Sequence, residues 1–569
     1  MEHKEKQTGL KIGSRDYGKA LCGKGNKAGL AIKLAFSLLF AFMAMLSSLI
    51  VFDGTVFARL DKTYFRPMSF GALGVFIAAL ITSYCIICLL EVVFANLEEK
   101  MQPGRACVKR VYFWIFIAVL LLCWMPYYLS YFPGGVYSDT FNSIYQIQGS
   151  LPLTNHHPIV YTMMLKVAIK IGSLLGRGLQ FSMGLFTLGQ CIAMAMTLSC
   201  FLYWIYKKGI AKLFIILTTL FFALFPLIPY YAISVWKDTP FVLALFLYSL
   251  YMLEIATTDA ECLNGWKGIS VYAVLSIAVS FLRNNGFYIV LLMTLILFIV
   301  YRNRIRKALK RFAILSMAVL VCIYGIQGPA FSALGWNENK TVESYGCLIQ
   351  QIAYVVSTDG TLSREEQDFI GQVMPLETMK KTYRPCNVDM IKWHEEFDKD
   401  FLNAHKGEFL RVWAGIAAKN PGKVLQAHLL STLGFWDVTK ATKTAYIQKD
   451  LWFDTESMHE VDYFQRIFGF SFDRLVAPEH PISSAVFVWF TLMSLALAAA
   501  RKKWRLVLVY LPAVLLWGTV MVAAPIAFSL RYVYIFVPLV PMATLLPVLS
   551  YEKKNRATGK DRTDQEMAS

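Results

Sequence analysis

Apolar runs long enough to cross a bilayer recur along almost the whole chain, and this constrains the fold more than any other feature. A spanning helix needs about 20 predominantly apolar residues, and shorter runs can span with help from flanking residues or neighbours. Such runs are read at Gly29–Val51, Met68–Phe94, Val111–Ser130, Phe181–Tyr206, Leu213–Tyr231, Thr239–Leu253, Ile269–Leu282, Gly286–Val300, Phe312–Ile326, Ile482–Ala500, Leu506–Ala523 and Tyr532–Leu549. They predict an all-α polytopic membrane protein with about 12 transmembrane helices. Composition agrees: 17% of residues are charged and 56% hydrophobic, whereas a soluble domain carries about 25% charged residues. The first run is too long for the apolar region of a cleaved signal and reads as a signal anchor.

The formal net charge is +18. On a soluble chain this would suggest nucleic acid. Here the basic residues sit where a membrane protein keeps them. Lys and Arg cluster in the first 28 residues, in Ala95–Arg110, at Lys207, Lys208 and Lys212, at Lys267, in Arg302–Arg311, in Arg501–Arg505 and after Tyr551. With about twelve spans and the N-terminus inside, all of these segments fall on the cytoplasmic side, as the positive-inside bias requires. The expected location is the plasma membrane, multi-pass, with both termini cytoplasmic and no nucleic-acid partner.

The apolar segment Ile159–Leu175 is read differently. Thr162, Lys166, Lys170 and Ser173 recur at helical spacing, and a span would bury two lysines at high cost. The segment is therefore expected to lie in the outer interface as an amphipathic helix. The chain divides into a basic cytoplasmic tail (1–28), two N-terminal transmembrane helices (29–110), a membrane core (111–326) with an outer loop (132–180), an extracytoplasmic domain (327–481), three C-terminal transmembrane helices (482–550) and a cytoplasmic tail (551–569). The 327–481 insertion has an acidic excess and reads as mostly helical. Ser363 followed by Glu366 fits a capping box. A helical pattern carries Trp393, Phe397, Phe401, Phe409 and Trp413, and Asn420-Pro421-Gly422 breaks it and starts another helix. Cys347 and Cys386 could pair there. Cys85-x-x-Cys88 lies in a span and reads as packing.

Polar and ionisable residues at span ends are candidates for function, and here they gather on the outer side at four places. The first is the loop Pro133–Gln146, with Asp139, Asn142, Ser143 and Gln146 on one helical face. The second is Asn155-His156-His157-Pro158, where at most one histidine can face a given point. The third is Trp236-Lys237-Asp238, and the fourth is Arg283-Asn284-Asn285-Gly286, joined by Arg531 before the last span. Each station alone has a bland reading: a solvated face, a helix start, an interface anchor, a snorkelling arginine. Together they suit a membrane-anchored phosphate ester: a carboxylate to take a proton and cations to receive a leaving phosphate.

These residues, with Pro133-Gly134, Gln146–Gly149 and Arg531-Tyr532, resemble the GT-C superfamily of glycosyltransferases over roughly Val111–Leu549. The resemblance implies that 111–326 is a GT-C-like core. It also implies a sugar donor linked to polyprenyl phosphate and a surface glycan, lipid or protein as acceptor. Asp139 matches the superfamily's acidic residue in the first outer loop, as base or metal ligand. His156, His157, Lys237, Asp238, Arg283, Asn284 and Arg531 would bind substrate and phosphate. Asp139 is followed by Thr140 where many relatives have a second acid, which leaves a divalent metal open and makes no cofactor certain. Two spans precede the core, and the large outer region lies between spans nine and ten rather than after the last. The rival readings are a transporter or flippase of lipid-linked glycan, and a non-catalytic envelope assembly or sensor protein. A transporter would place polar residues near the midplane and break helices in paired halves, whereas the stations are at the outer face and no paired halves are seen.

Overall fold

The computed structural model of the chain describes residues 27–52, 62–98, 101, 109–306, 308–336, 341–440, 458–476, 482–523 and 526–549. The basic tails of the sequence reading lie almost wholly outside these residues. The fold is mostly helical. In chain order it begins with α1 (Lys27–Ser48), α2 (Phe70–Glu98), α3 (Val111–Ser130), α4 (Ser138–Gln148), α5 (Ile159–Leu174) and α6 (Leu179–Lys207). It continues with α7 (Lys212–Leu224), α8 (Leu227–Ile233), α9 (Asp238–Thr257), α10 (Trp266–Leu282), α11 (Gly286–Tyr301) and α12 (Leu309–Gly325). The outer insertion contributes α13 (Gly346–Ser357), α14 (Arg364–Val373), α15 (Lys406–Lys419) and α16 (Pro421–Ser431), and the chain closes with α17 (Ser484–Ala500) and α18 (Trp504–Ala523). Strands are confined to two-residue pairs: β1 (Ile50–Val51) with β2 (Tyr64–Phe65), antiparallel, and β3 (Gly135–Val136) with β4 (Ser234–Val235), parallel.

Among the described residues 7 helices are long and apolar enough to cross a membrane, or up to 8 if the pair α7–α8, bent by 51°, is one span. That makes the chain a multi-pass membrane protein. Helices α10, α11 and α17 also coincide with expected spans but have only 17, 16 and 17 residues. The last expected span is not a continuous α-helix. It is a 3₁₀ segment, Leu530–Phe536, followed by a short helix, Val540–Leu545. Pro538, Pro541 and Pro547 remove backbone donors there and clash with the preceding turn. Pro226, at the junction of α7 and α8, accounts for that bend in the same way.

Burial sorts the helices. Helix α9 is apolar all round and enclosed, with Phe241, Leu245, Tyr248, Met252 and Ile255 at 0–1% exposure, as a central helix must be. It packs on α18, α10 and α6. Helix α2 instead exposes Phe70, Leu73, Ile77, Ile81 and Leu89, a face suited to lipid. One buried ion pair joins α1 to α2, Lys33 Nζ to Glu91 Oε2 at 2.5 Å. Glu98 then receives Arg501 and Lys503, tying this N-terminal hairpin to the α17–α18 turn.

Helix α5 packs on α6 and α4. Lys166 and Lys170 are exposed, as are the apolar Met164, Val167, Ile171 and Leu174. Thr162 departs from the expected polar stripe: it is buried and donates to Ser143 Oγ of α4 at 3.2 Å. The 327–481 insertion has its own core around Ile352, Val355, Ile370, Ile391, Leu402 and Ile416. The capping box at Ser363 and Glu366 is formed, and Pro421 begins α16. The expected single helix through Trp393–Trp413 is instead three pieces, Asp389–Lys392, Lys399–Ala404 and α15, because Asp398 caps the second and His405 interrupts the run before the third. Cys347 is a free thiol, so the expected pairing with Cys386 is not made. Cys347 Sγ faces His428 Nδ1 at 3.2 Å instead.

The β3–β4 pair, Gly135 opposite Ser234 and Val136 opposite Val235, brings the first outer loop against the end of α8. Two polar residues one turn apart on α6 hold both strands. Thr187 donates to the Pro133 carbonyl at 2.6 Å. Gln190 Nε2 reaches the carbonyls of Tyr231, Ala232 and Ser234 at 3.3, 2.9 and 2.7 Å, satisfying acceptors left free where α8 ends. Gly134 has φ +112°, and a Cβ there would lie 2.5 Å from the Ile233 carbonyl oxygen and 2.7 Å from Thr187 Oγ1. Gly134→Ala is therefore expected to cost more than about 1 kcal/mol and to part the two strands. Gly149→Ala, also at positive φ but with nothing within 4 Å, should cost less. Thermal unfolding of the two variants compares them directly.

Candidate functional site

The four polar stations lie on different helices, yet the fold delivers them to one end of the bundle. They follow α3, begin α5, begin α9 and link α10 to α11, and Arg531 precedes the broken final segment. The register of β3 with β4 sets the first contact. It brings Tyr137 against Trp236, their rings stacked 3.9 Å apart. Thr140 donates to the Val235 carbonyl and lies 3.0 Å from the Tyr161 hydroxyl. Asp139, in the first turn of α4, is thereby turned toward the start of α9.

The charged side chains form one connected set. Arg531 Nη1 donates to Asp139 Oδ2 at 2.8 Å, and Lys237 Nζ lies 3.2 Å from the same oxygen. Lys237 Nζ also donates to His157 Nδ1 at 2.6 Å. Arg283 Nη1 donates to Asp238 Oδ1 at 2.5 Å, and Arg531 Nε stands 4.0 Å from Asp238 Oδ2. The two guanidiniums share an aromatic wall. Arg531 lies 5.3 Å from the Trp236 ring and 5.0 Å from Tyr532, and Arg283 lies 5.5 Å from Phe241 and 5.4 Å from Tyr532. Asn155 Nδ2 approaches Asn284 Oδ1 at 3.5 Å, while Asn155 Oδ1 accepts from the backbone of Ile159 at the start of α5. The geometry thus joins Asp139, His157, Lys237, Asp238, Arg283 and Arg531 directly, with Asn284 at the edge. His156 is half-buried and packs edge-on to the His157 ring at 4.7 Å.

Enclosure sets the electrostatics. Asp238 is 1% exposed and His157 3%, while the side chains of Asp139 and Lys237 are each 21% exposed. Burial alone would raise the Asp139 pKa, but Lys237, Arg531 and His157 outweigh it and hold the carboxyl well below its ordinary value. Burial, then Lys237, hold the His157 imidazole well below its usual range. Lys237 can only donate, so Nδ1 of the neutral ring is the acceptor and its proton sits on Nε2. Nε2 is buried with no hydrogen-bond partner among the described residues, and the same is true of Trp236 Nε1 and Asp238 Oδ2. Buried polar atoms without a protein partner call for a water, an ion or a ligand. The charged side chains in these contacts are three cations and two carboxylates, a net of +1. Among the described residues no three His, Cys, Asp or Glu side chains converge as a metal-ligand set.

The 327–481 insertion packs on segments that border this site. Val461 N donates to the Phe132 carbonyl at 2.8 Å, and Tyr463 packs on the Phe132 ring. Asp473 accepts from the Tyr131 hydroxyl, and Asn155 N donates to the Trp336 carbonyl at 2.6 Å. Residues 386–387 pair with 526–527 just before Arg531. Sequence reading picked out the charged residues but not Asn155 or Trp236 as contributors. Asn155 stood beside the histidines as an unremarkable amide, and Trp236 read as an interface anchor.

A buried acidification response follows from the histidines. Burial also lowers His428, in the outer domain. An unfolded histidine takes a proton below about 6.5. The folded His157 and His428 resist it, so the unfolded state binds more protons there and stability falls as pH falls. The contribution is present in full above about pH 6.5 and is lost on acidification, by up to about 1.4 kcal/mol per pH unit for each histidine that stays neutral. Thermal midpoints between pH 7 and 5 should drop for the native chain and drop less for His157→Gln/His428→Gln. Equal slopes would refute the assignment.

Fold and site define a multi-pass helical membrane protein with a buried, cation-rich site at one end of its bundle. A family model described as "Family of unknown function (DUF6020)" matches residues 147–563, and the chain belongs to that family. Asp139 lies just ahead of the matched stretch, and the remaining candidate residues lie within it. No curated protein and no solved structure matches the chain.

Proposed function

We propose that this protein is a GT-C-type membrane glycosyltransferase. It moves a sugar from a polyprenyl-phosphate donor to a cell-surface acceptor on the extracytoplasmic face of the plasma membrane. In this reading about twelve helices span the bilayer, both termini are cytoplasmic, and the site opens outward beneath the insertion. The observation that carries it is the meeting of Asp139 with Lys237, Arg531 and His157, drawn from segments far apart in sequence.

The chemistry divides among named groups. Asp139 takes the proton of the acceptor hydroxyl as its oxygen bonds to the anomeric carbon. The bond from that carbon to the phosphate oxygen breaks, and its electron pair leaves with the lipid phosphate. Lys237, Arg531 and Arg283 receive the charge that develops there. His157 positions Lys237 through Nδ1, and the Trp236 ring backs Arg531. Asp238 fixes Arg283, and Asn155 and Asn284 border the site. The insertion excludes water and selects the acceptor, whether glycan, lipid or protein.

The bent helix pair α7–α8, which ends at β4, supports a second reading, a transporter or flippase of lipid-linked glycan, because carriers build sites at broken helices. One experiment separates them. Cells lacking the protein are complemented with wild type or Asp139→Asn at equal protein level, and surface glycan and accumulated lipid-linked sugar are measured. Transfer predicts loss of the glycan modification, with the lipid-linked sugar accumulating outside. Unchanged glycan with Asp139→Asn sinks the catalytic role, and accumulation on the inner leaflet favours transport.

A further inference from the structure

The two cations best placed to hold a phosphoryl group are already occupied. Asp139 Oδ2 takes Arg531 at 2.8 Å and Lys237 at 3.2 Å on the same oxygen. One carboxylate oxygen between two cations has the charge and spacing of a phosphate oxygen in an anion site. His157 Nε2 and Trp236 Nε1 are buried without a hydrogen-bond partner among the described residues. His157 is 3% exposed and fixed by Lys237. A carboxylate oxygen shared by two cations at hydrogen-bonding distance occupies the place that an anionic ligand's oxygen would take.

We infer that Asp139 is the internal occupant of a phosphoryl-anion site formed by Lys237 and Arg531, and that a phosphate ester binds by displacing it. This rests on the reading of these cations as phosphate ligands and adds an order of events. While Asp139 is paired with both cations it is a poor base. An incoming phosphoryl group draws Lys237 and Arg531 to its own oxygens and releases the carboxylate to act on the acceptor. The site therefore deprotonates an acceptor only when the donor is in place, which disfavours idle chemistry on the acceptor alone. Arg283 stays paired with Asp238 at 2.5 Å through the exchange and adds its charge from there.

The test uses the full chain in detergent micelles, with decyl phosphate and inorganic phosphate as separate probes of binding by calorimetry. A carboxylate that competes for the cations lowers apparent affinity by the fraction of time it holds them. Asp139→Asn is thus expected to bind decyl phosphate about ten-fold or more tightly than wild type, although it has lost a site residue. Arg531→Met is expected to lose binding. Affinity that is unchanged or weaker in Asp139→Asn would overturn the inference. A measurement on the wild type guards against a misfolded variant: adding decyl phosphate should shift the infrared carboxylate band of an ion-paired aspartate, and no shift under saturation would also overturn it. Both sources of the ligand support the site, and the two probes tell them apart: preference for decyl phosphate assigns a lipid phosphate, equal binding a free one. Tighter binding in Asp139→Asn with no sugar transfer by wild type would remove the transfer reading and leave this one. Transfer with unchanged affinity would do the reverse.

Discussion

Asp139→Asn should lower the turnover of sugar transfer by about 10²–10⁴-fold, the range that a positioned general base contributes, while the protein still inserts and folds. The amide is nearly isosteric and keeps one carbonyl oxygen for Arg531, which now stands 2.8 Å from Asp139 Oδ2. What it loses is the capacity to take a proton. The neighbours make this loss specific. His157 is neutral, and its Nδ1 is engaged by Lys237 at 2.6 Å, so it does not stand in for Asp139 as base. The measurement is the rate at saturating donor in reconstituted vesicles, with thermal unfolding as the check on folding. A fall in turnover without a rise in the donor KM identifies a group that acts in the transition state rather than in binding. A rise in KM with turnover unchanged would make Asp139 a binding residue only.

The class of fold was legible because bilayer thickness imposes a length on every spanning segment, and apolar runs are hard to disguise. Less legible was the last segment, whose hydropathy is that of a span but whose prolines at 538 and 541 leave it as 3₁₀ and short helical pieces. Hydropathy averages over a window and is blind to a missing backbone donor. The site was legible as residue types at span ends, since charge at a membrane boundary is costly enough to be noticed. What joined those residues was not. The partner of Asp139 is Arg531, almost four hundred positions away, and the link depends on a two-residue parallel pairing at Gly135 and Ser234 that no periodicity announces. The insertion's helices were read through Trp393 to Trp413 as continuous because the aromatic spacing is helical, and the cap at Asp398 overrode it. Thr162 was read as solvated because it shares a stripe with two lysines, but Ser143 gave it a buried partner. In each case a tertiary partner decided what local pattern left open.

Arg283→Met should destabilise the protein by about 3–5 kcal/mol, the cost of stripping the partner from a buried charge, and should do so before any question of activity arises. Asp238 is 1% exposed, and Arg283 at 2.5 Å is its nearest cation among the described residues. Arg531 Nε is 4.0 Å from the other oxygen and directs its hydrogen bond to Asp139. Asp238 also begins α9, where the helix dipole favours a carboxylate by a few tenths to about 1 kcal/mol, too little to replace a guanidinium. The lone carboxylate would then either take up a proton or pull Arg531 away from Asp139, and the second outcome dismantles the site. The double variant Arg283→Met/Asp238→Asn separates charge from packing. If the cost is an unpaired buried charge, removing both partners should restore most of the lost stability, because replacing a whole buried pair is often near neutral. If the cost lies instead in the stacking of Arg283 against Phe241 and Tyr532 at 5.5 and 5.4 Å, the double variant will be no more stable than the single one. Thermal unfolding of the wild type, both single variants and the double variant in one detergent closes the cycle.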